Sequence, residues 1–224
     1  MIGFQILTRK RAVSSEVVAR YLGLPVANVS DSMSRMFAGG PLLRPMHNGS
    51  PMAGPAFTVR TRPGDNLLIH KAIALAAPGD IIVVDAGGDL TNALIGEIML
   101  HMATLKGLGG FVINGAIRDA KAIRGSSFPV FAAGITHRGP YKDGPGEINT
   151  PVSLGGMVVE AGDLVIGDDD GVLCIPFDQV DAVYDATRAK ANAELKMMAD
   201  ISAGTYDDTW VDATLSRLGC STEE

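Results

Sequence analysis

Two residue types that often carry chemistry are scarce in this chain of 224 residues, which has two cysteines and four histidines. Cys174 lies inside the apolar run GVLCIP and Cys220 lies in a polar C-terminal stretch, a pattern that predicts neither a disulfide nor a catalytic thiol. The histidines show neither an HExxH motif nor paired spacing, which argues against a histidine metal site. They are His47, His70, His101 and His137.

A net positive charge and long apolar runs are also missing. The formal net charge is -6, and no run of Lys and Arg interleaved with aromatic residues offsets it, which argues against nucleic acid as a partner. No apolar stretch approaches the roughly 20 residues of a membrane helix, and the start MIGFQILTRKRAVSSE is too short in its apolar part for a signal peptide. We therefore expect a soluble, cytoplasmic protein with no membrane partner.

Buried strands alternate with helical segments in the first two thirds of the chain. The runs IIVVDAG, FVING and PVFAAGIT are typical of strands covered on both faces, and DNLLIHKAIALAA is a helical pattern with an aspartate cap. SSEVVARYL and NVSDSMSRM predict two short helices, capped by serine or asparagine. The fold class predicted is α/β, in one domain of 1–224 with a helical arm at 1–36 and a core at 37–176.

The second half of the chain is rich in β-structure. A long Gly- and Pro-rich loop, HRGPYKDGPGEINTP, precedes the short strands MVV, LVIG and GVLCIP. A helix is predicted from Phe177, and the segment 177–224 closes with a polar tail that carries Trp210 and is expected to dock on a neighbour.

The stretch GLGGFVINGAIRDA places two opposite charges, Arg118 and Asp119, at the end of a buried strand. Ligands bind at the carboxyl ends of strands in open α/β sheets, which favours a functional role. A plain surface ion pair is the alternative. Because adjacent residues on a strand point to opposite sides, we expect each of the two to have a separate partner.

A second candidate element is ALIGEIMLHMATLKG, in which a glycine and a glutamate could begin a helix. The exposed amides of Gly96, Glu97, Ile98 and Met99 would form an anion site there, with Arg118 as a clamp. An ordinary amphipathic helix is an equally good interpretation, and spacing alone does not decide between them.

Two further charged groups have competing interpretations. The triplet DDDG at 168–171 resembles a metal cluster, but aspartates in a turn between short strands usually bond to the backbone, and we prefer that role. Arg138 and Lys142 could bind a distal carboxylate of a substrate or could be solvated loop charges.

The sequence resembles the 4-hydroxy-4-methyl-2-oxoglutarate aldolase family, which includes the regulator of ribonuclease activity A proteins. The resemblance covers about residues 28–176 and rests on five segments in order, of which the helix start GE and the motif NGAIRD are the most specific. These segments are GPAFTVRTRPGDN, PGDIIVVDAGGD, GEIMLHMATLKGLGGFVINGAIRD, FPVFAAGITHRGP and AGDLVIGDDDGVLCIP.

The resemblance implies a role for each matching position. Asp119 corresponds to the single carboxylate ligand of a divalent metal, Mg²⁺ or Mn²⁺, and Arg118 to the substrate-binding arginine. Gly96 to Met99 would hold the pyruvyl carboxylate, and Glu97 would hold a water on the metal. Glu194, in NAELK, corresponds to an acidic residue that a neighbouring subunit can supply.

The resemblance also implies a fold and an activity. The fold is a swivelling β/β/α domain, ribonuclease-regulator-like, with a β-rich second half and a C-terminal helix, assembled as a homotrimer or homohexamer. The activity is metal-dependent retro-aldol cleavage of a small 4-hydroxy-2-oxo acid to pyruvate, with oxaloacetate decarboxylation sharing the intermediate. A non-catalytic ring that binds a ribonuclease is the alternative, and a related enzyme of altered substrate range is a third.

Overall fold

The computed structural model describes residues 2–221, and contacts divide the chain into two compact units, Met1–Thr187 and Arg188–Glu224. The first unit holds all of the strands found in the described residues. They are β1 Phe4–Ile6, β2 Arg44–Pro45, β3 Met52–Thr61, β4 Ile81–Asp85, β5 Ala93–Ile95, β6 Gly110–Ile117, β7 Val130–Ile135, β8 Gly146–Ile148, β9 Val152–Leu154, β10 Met157–Val159, β11 Leu164–Asp168 and β12 Gly171–Ile175.

Helices connect the strands on the first unit and make up most of the second. A single 3-10 turn at Phe177–Gln179 leads into the longest of them, and the boundary between the units falls within that helix. The helices are α1 Ser15–Tyr21, α2 Val26–Ser32, α3 Leu67–Leu75, α4 Glu97–Leu105, α5 Ala120–Arg124, α6 Val180–Ala203 and α7 Thr209–Arg217.

A large mixed sheet in the order β1-β8-β3-β4-β6-β7-β2 organises the first unit. Its centre, β3-β4-β6-β7, is parallel, while β8 and β2 join it antiparallel. The short strand β5 pairs in parallel with β6, and β11 connects β12 to β3. This confirms the predicted α/β class with a β-rich second half and a C-terminal helix.

Alternate residues of the central strands pack on two different layers, as strand geometry requires. Ile82 and Val84 of β4 join a core beneath α3, α4 and α5, whereas Ile81 and Val83 join a core beneath the hairpin β9–β10. All four side chains are fully buried, which explains why this strand is a continuous apolar run.

The polar edge of the sheet follows from this layout. Because β3, β4, β5 and β6 run in parallel, their carboxyl ends lie at one edge, and α3, α4 and α5 begin after β3, β5 and β6 at the same edge. The sheet therefore gathers three helix starts and the residues after four strands in one place.

Several sequence expectations are corrected by the structure. The loop HRGPYKDGPGEINTP contains strand β8, and the N-terminal arm contributes β1, which pairs with it. Ser14 caps α1 as predicted, accepting from the amide of Val17 at 3.3 Å, but Asn28 lies inside α2, whose cap is Pro25.

The second unit is helical rather than an irregular tail. Trp210 belongs to α7 and donates its indole N–H to the hydroxyl of Tyr206 at 3.1 Å. Its expected docking on a neighbour and the division of the chain at residues 36 and 176 stay predictions. Among residues 2–221, no helix is both long enough and apolar enough to cross a membrane.

Candidate functional site

The candidate site is built where β5 and β6 end side by side. Ile95 of β5 is paired with Ile117 of β6, and the amide of Arg118 donates to the carbonyl of Ile95 at 3.0 Å. Gly96 and Arg118 therefore leave the sheet at the same level, 22 residues apart in sequence but adjacent in space.

Asp119 turns the chain from β6 into the short helix α5. Its φ of +55° and ψ of +38° lie in the left-handed region, which aspartate tolerates better than most residues because its short polar side chain can bond locally. The carbonyl of Asp119 accepts from the amide of Ala122 at 3.0 Å.

The expectation that Arg118 and Asp119 point apart is wrong. Strand β6 ends at Ile117, so the alternation of a strand does not apply, and Nε of Arg118 lies 3.7 Å from Oδ2 of Asp119. The two side chains are 41% and 42% exposed, and a half-exposed pair at this distance contributes at most about 1 kcal/mol to stability.

Gly96 is the residue before α4, and it is a glycine because its neighbours occupy the space a side chain would need. A Cβ placed there would collide with Oδ2 of Asp119 and would lie 3.0 Å from Cγ of Arg118. Its φ of -157° is extended backbone that any residue adopts, so the requirement is one of space. The sequence argument assigned that space to a ligand, and the structure assigns it to Asp119 and Arg118.

The first turn of α4 supplies amide donors, one of which is already used. The amide of Glu97 donates to Oδ2 of Asp119 at 3.0 Å. The amides of Ile98 and Met99 have no intrahelical acceptor, because the first such bond runs from Leu100 to the carbonyl of Gly96. These two amides remain for an anion, and the binding role of Gly96 to Met99 stays a prediction.

Asp119 lines two cavities. The larger, about 850 Å³, is also lined by Glu97, His101 and Lys121, and the smaller, about 80 Å³, is lined by Gly96 and the first turn of α4. The carboxylate of Asp119 is therefore accessible from both sides.

Asp119 has an oxygen available for a cation. Both described contacts of its side chain, with the amide of Glu97 and with Arg118, involve Oδ2, and no residue in 2–221 donates to Oδ1. Within that range no three His, Cys, Asp or Glu side chains cluster as a metal cage. A single carboxylate suits Mg²⁺ or Mn²⁺, which retain waters and bind partly through substrate, better than zinc, which needs several protein ligands.

Glu97 and His101 face the larger cavity from one side of α4. Their side chains are 54% and 72% exposed, and Nε2 of His101 lies 3.8 Å from Oε1 of Glu97, an ion pair only when the imidazole is protonated. The carboxylate of Glu97 is thus close to the site and accessible to water.

The smaller cavity contains three further polar residues, and the sequence argument had considered a substrate-binding role for only one of them, Lys142. Asn66, His70 and Lys142 line it together with Arg118. Asn66 is 3% exposed and donates to the carbonyl of Leu94 at 2.8 Å, but no described residue donates to its side-chain oxygen. Burial, followed by the positive charge of Lys142, lowers the pKa of His70.

A signal for Asn66 and His70 was present in the sequence. Both follow β3 at the start of α3, and a strand-to-helix turn after any parallel strand lies at the ligand-binding edge. The aspartate predicted as the cap of α3 is Asp65, but the residue directly before the helix is Asn66. Asp65 still contributes a bond there, because its Oδ1 accepts from the amide of Leu67 at 3.0 Å.

Other candidate groups have structural partners. Asp168 accepts from the amides of Val26 and Asp170, each at 2.9 Å, which confirms the predicted turn role of the DDDG segment. The ring nitrogens of His47 lie 3.1 and 2.7 Å from the carbonyls of Val130 and Ser50.

The two remaining candidates, Arg138 and Glu194, lie on different parts of the chain. Arg138 is exposed, and its carbonyl accepts from Ala93 at 2.8 Å. Glu194 lies on α6 in the second unit, with Oε1 3.3 Å from Nζ of Lys190. Its proposed place beside the site of a neighbouring subunit stays a prediction.

Comparisons with known proteins identify relatives of this chain. Residues 26–174 match the model of the RraA-like family, described as Aldolase/RraA. A Halalkalibacterium halodurans protein named "Putative 4-hydroxy-4-methyl-2-oxoglutarate aldolase" is 39% identical over 175 residues, which cover 78% of this chain and 83% of that protein.

Two solved structures share the fold. A Pseudomonas syringae pv. tomato protein is 25% identical with a TM-score of 0.77, over 86% of this chain and 95% of its own. The RNA-processing inhibitor RraA from Thermus thermophilis is 30% identical with a TM-score of 0.63, over 68% of this chain and 92% of its own. The chain belongs to the Aldolase/RraA family.

Proposed function

We propose that the protein is a divalent-metal-dependent carbon–carbon lyase that cleaves 4-hydroxy-2-oxo acids, of the 4-hydroxy-4-methyl-2-oxoglutarate type, to pyruvate. The observation that carries the proposal is Oδ1 of Asp119, which no described residue contacts and which lies beside the guanidinium of Arg118 and the amides of Ile98 and Met99. One cation ligand and several anion donors at one point suit a 2-oxo acid chelated to a metal.

Most of the site residues would bind the substrate and its metal. The amides of Ile98 and Met99 would bind the carboxylate of the pyruvyl half, and Arg118 would stabilise the negative charge that develops on its ketone oxygen. Asp119 would hold Mg²⁺ or Mn²⁺, which when bound supplies a Lewis acid for the 2-oxo group.

Cleavage requires removal of the proton from the 4-hydroxyl. Glu97 faces the larger cavity and would accept that proton directly or through a water, because its carboxylate is accessible there. The C3–C4 bonding electrons then pass to C3, C4 becomes a carbonyl, and protonation of C3 completes pyruvate. Oxaloacetate would lose CO₂ by the same electron flow.

The competing function is a non-catalytic ring that binds a ribonuclease, and the RraA structure from Thermus thermophilis gives it support. The two functions make different demands on Asp119, because only the lyase needs an unpartnered carboxylate oxygen.

Pyruvate release from 4-hydroxy-4-methyl-2-oxoglutarate and from oxaloacetate, with Mg²⁺ or Mn²⁺ and then with EDTA, tests the proposal. We expect turnover that EDTA abolishes and added metal restores. Absence of turnover on both substrates with either metal would reject the lyase and leave the regulator.

A further inference from the structure

Proton transfer to C3 is the step of the proposed cleavage that still lacks a protein group. Glu97, the residue that would take the proton from the 4-hydroxyl, lines the larger cavity and not the smaller one. The pyruvyl carboxylate, bound by the amides of Ile98 and Met99, would instead lie at the smaller cavity, which those two residues line. A group that serves C3 should therefore line the smaller cavity as well.

Among residues 2–221, four ionisable side chains line the smaller cavity, and one of them suits this task. The volume of the cavity is about 80 Å³, room for only a few water molecules, so the groups on its walls lie close to any ligand. Arg118 and Lys142 are cations near neutral pH, and the carboxylate of Asp119 would be occupied by the metal. His70, on α3, is the group that gains and loses a proton near neutral pH.

The ring of His70 is also free to react. The ring nitrogens of His47 lie 3.1 and 2.7 Å from two backbone carbonyls. No residue in the described part of the chain hydrogen-bonds to the ring of His70, which is half-buried. His101 lines the larger cavity, and His137 is exposed after β7. His70 is thus the histidine that lines the smaller cavity with both ring nitrogens unbonded.

The surroundings of His70 keep its imidazole neutral near pH 7. Burial lowers its pKa, and the positive charge of Lys142 lowers it further. From the end of β6, Arg118 adds a second cation and Asp119 a carboxylate, whose charge a bound divalent metal would offset. A neutral imidazole with a free lone pair is a base, and a low pKa makes the protonated ring a ready proton donor.

A buried acceptor beside His70 indicates a place for water. Asn66 is 3% exposed, and no described residue donates to its side-chain oxygen, which is costly unless a water does so. The amide of His70 donates to the carbonyl of Asn66 at 3.1 Å, so the two residues are one helical turn apart and lie on the same face. A water bound to Asn66 would connect the imidazole to solvent protons.

We infer that His70 is a further catalytic residue, the acid and base that exchanges a proton with C3 of the pyruvyl group. In cleavage the protonated ring gives its proton to C3, where the electron pair of the enolate forms the new C–H bond, and a neutral imidazole remains. The proton that Glu97 took from the 4-hydroxyl passes to solvent, and solvent reprotonates His70, so the reaction releases no net proton. In the reverse direction the neutral imidazole removes a proton from the methyl group of pyruvate.

The inference rests on the proposed function for the position of the pyruvyl carboxylate, and its test uses pyruvate alone. Deuterium exchange into the methyl group is followed by proton NMR in D₂O with Mg²⁺ present, and pyruvate affinity is measured by calorimetry. We expect the unaltered protein to catalyse exchange and His70→Gln to slow it by about 10² or more, with pyruvate affinity kept. The exchange rate of the unaltered protein should fall as the pH drops through the pKa of His70, and His70→Gln should lack this fall.

A second variant and a matched control separate catalysis from structure. His70→Ala leaves space for a ring, so free imidazole should restore part of its exchange rate, which a purely structural role would not allow. His137→Gln removes an exposed histidine that lines neither cavity, and it should leave exchange and affinity unchanged.

Three results would overturn the inference. They are an undiminished exchange rate in His70→Gln, a loss of exchange explained by weaker pyruvate binding, and no exchange by the unaltered protein at saturating pyruvate. Exchange breaks no C–C bond, so a protein that fails in the pyruvate-release assay can still exchange the methyl protons. Failure of the proposed function is therefore measured separately from failure of His70.

Discussion

Two aspartates at strand ends in this molecule differ in how many of their side-chain oxygens are bonded. Asp168 ends β11 and uses one oxygen on Val26 and the other on Asp170. Asp119 follows β6, and both described contacts of its side chain fall on one oxygen, Oδ2. The triplet of aspartates has the more conspicuous sequence, yet the lone aspartate is the one with a side-chain oxygen that no described residue contacts. What matters is therefore the number of oxygens that the backbone leaves unpartnered, and three adjacent acids do not ensure a site.

Asp119→Asn should produce the largest effect on activity. The substitution keeps an oxygen for the amide of Glu97 and tolerates the left-handed backbone, so the melting temperature should hardly change. Loss of the anionic ligand should lower kcat/KM by about 10³ or more and weaken Mg²⁺ binding. Pyruvate release and metal titration measure the two effects; normal metal binding in a folded variant would contradict the assignment.

Arg118→Lys should have the next largest effect on activity and, unlike Asp119→Asn, should leave metal binding intact. Lysine keeps the charge but loses the planar fork, which should cost about 10² to 10³ in kcat/KM while metal affinity stays normal. If both variants lost the same modest activity and unfolded at lower temperature, Arg118 and Asp119 would be a structural ion pair.

Gly96→Ala sharpens the comparison by crowding Asp119 without changing any charge. The new Cβ would displace the carboxylate and the stem of Arg118, and a misplacement of about 1 Å at a reacting group can cost about 10² in rate. KM and the dissociation constant for the metal should both rise, while the far-ultraviolet circular dichroism spectrum should stay unchanged. An unaltered KM would show that neither side chain needs its present position.

Asp168→Ala, at the end of β11, should lower stability and leave activity unchanged, the opposite of Asp119→Asn. Removing the acceptor of two backbone amides should lower the free energy of unfolding by about 1–3 kcal/mol, measured in urea. Activity at temperatures where the variant is folded should match that of the unaltered protein. A loss of metal-dependent turnover would give the DDDG turn a role in the site.

The smallest effect concerns a third carboxylate, Glu147 in β8. The hydrogen bond from the amide of Gly3 lowers its pKa, burial opposes this, and Gln5 adds to the lowering. A depressed pKa contributes stability above the unfolded value, and this is lost as the pH falls through the folded one. Glu147→Gln should therefore flatten the acid side of the stability curve while activity near pH 7 is kept. An unchanged acid limb would contradict the assignment.

Sequence patterns predicted elements whose signals are local. The strands β4, β6 and β7 are long apolar runs, and α4 follows from its helical spacing, so each was located in advance. The strands β1, β2, β5 and β8 have two or three residues each and exist because a distant partner pairs with them.

The candidate site divides in the same way. The NGAIRD motif located Arg118 and Asp119, but not their mutual contact, which depends on one left-handed residue that no pattern marks. Asn66 and His70 were not assigned to the site, because their proximity to Arg118 arises from the parallel order of the sheet.

The pairing of β1 with β8 has a consequence for synthesis. Phe4 lies opposite Gly146, so β1 has no partner in the sheet until β8 has been translated. At about 5–20 residues per second, this delay is on the order of ten seconds. The parallel core β3-β4-β6-β7 lies entirely between those two segments and can assemble on the ribosome first. Strand β1, although translated before the parallel core, would pair only after that core has formed.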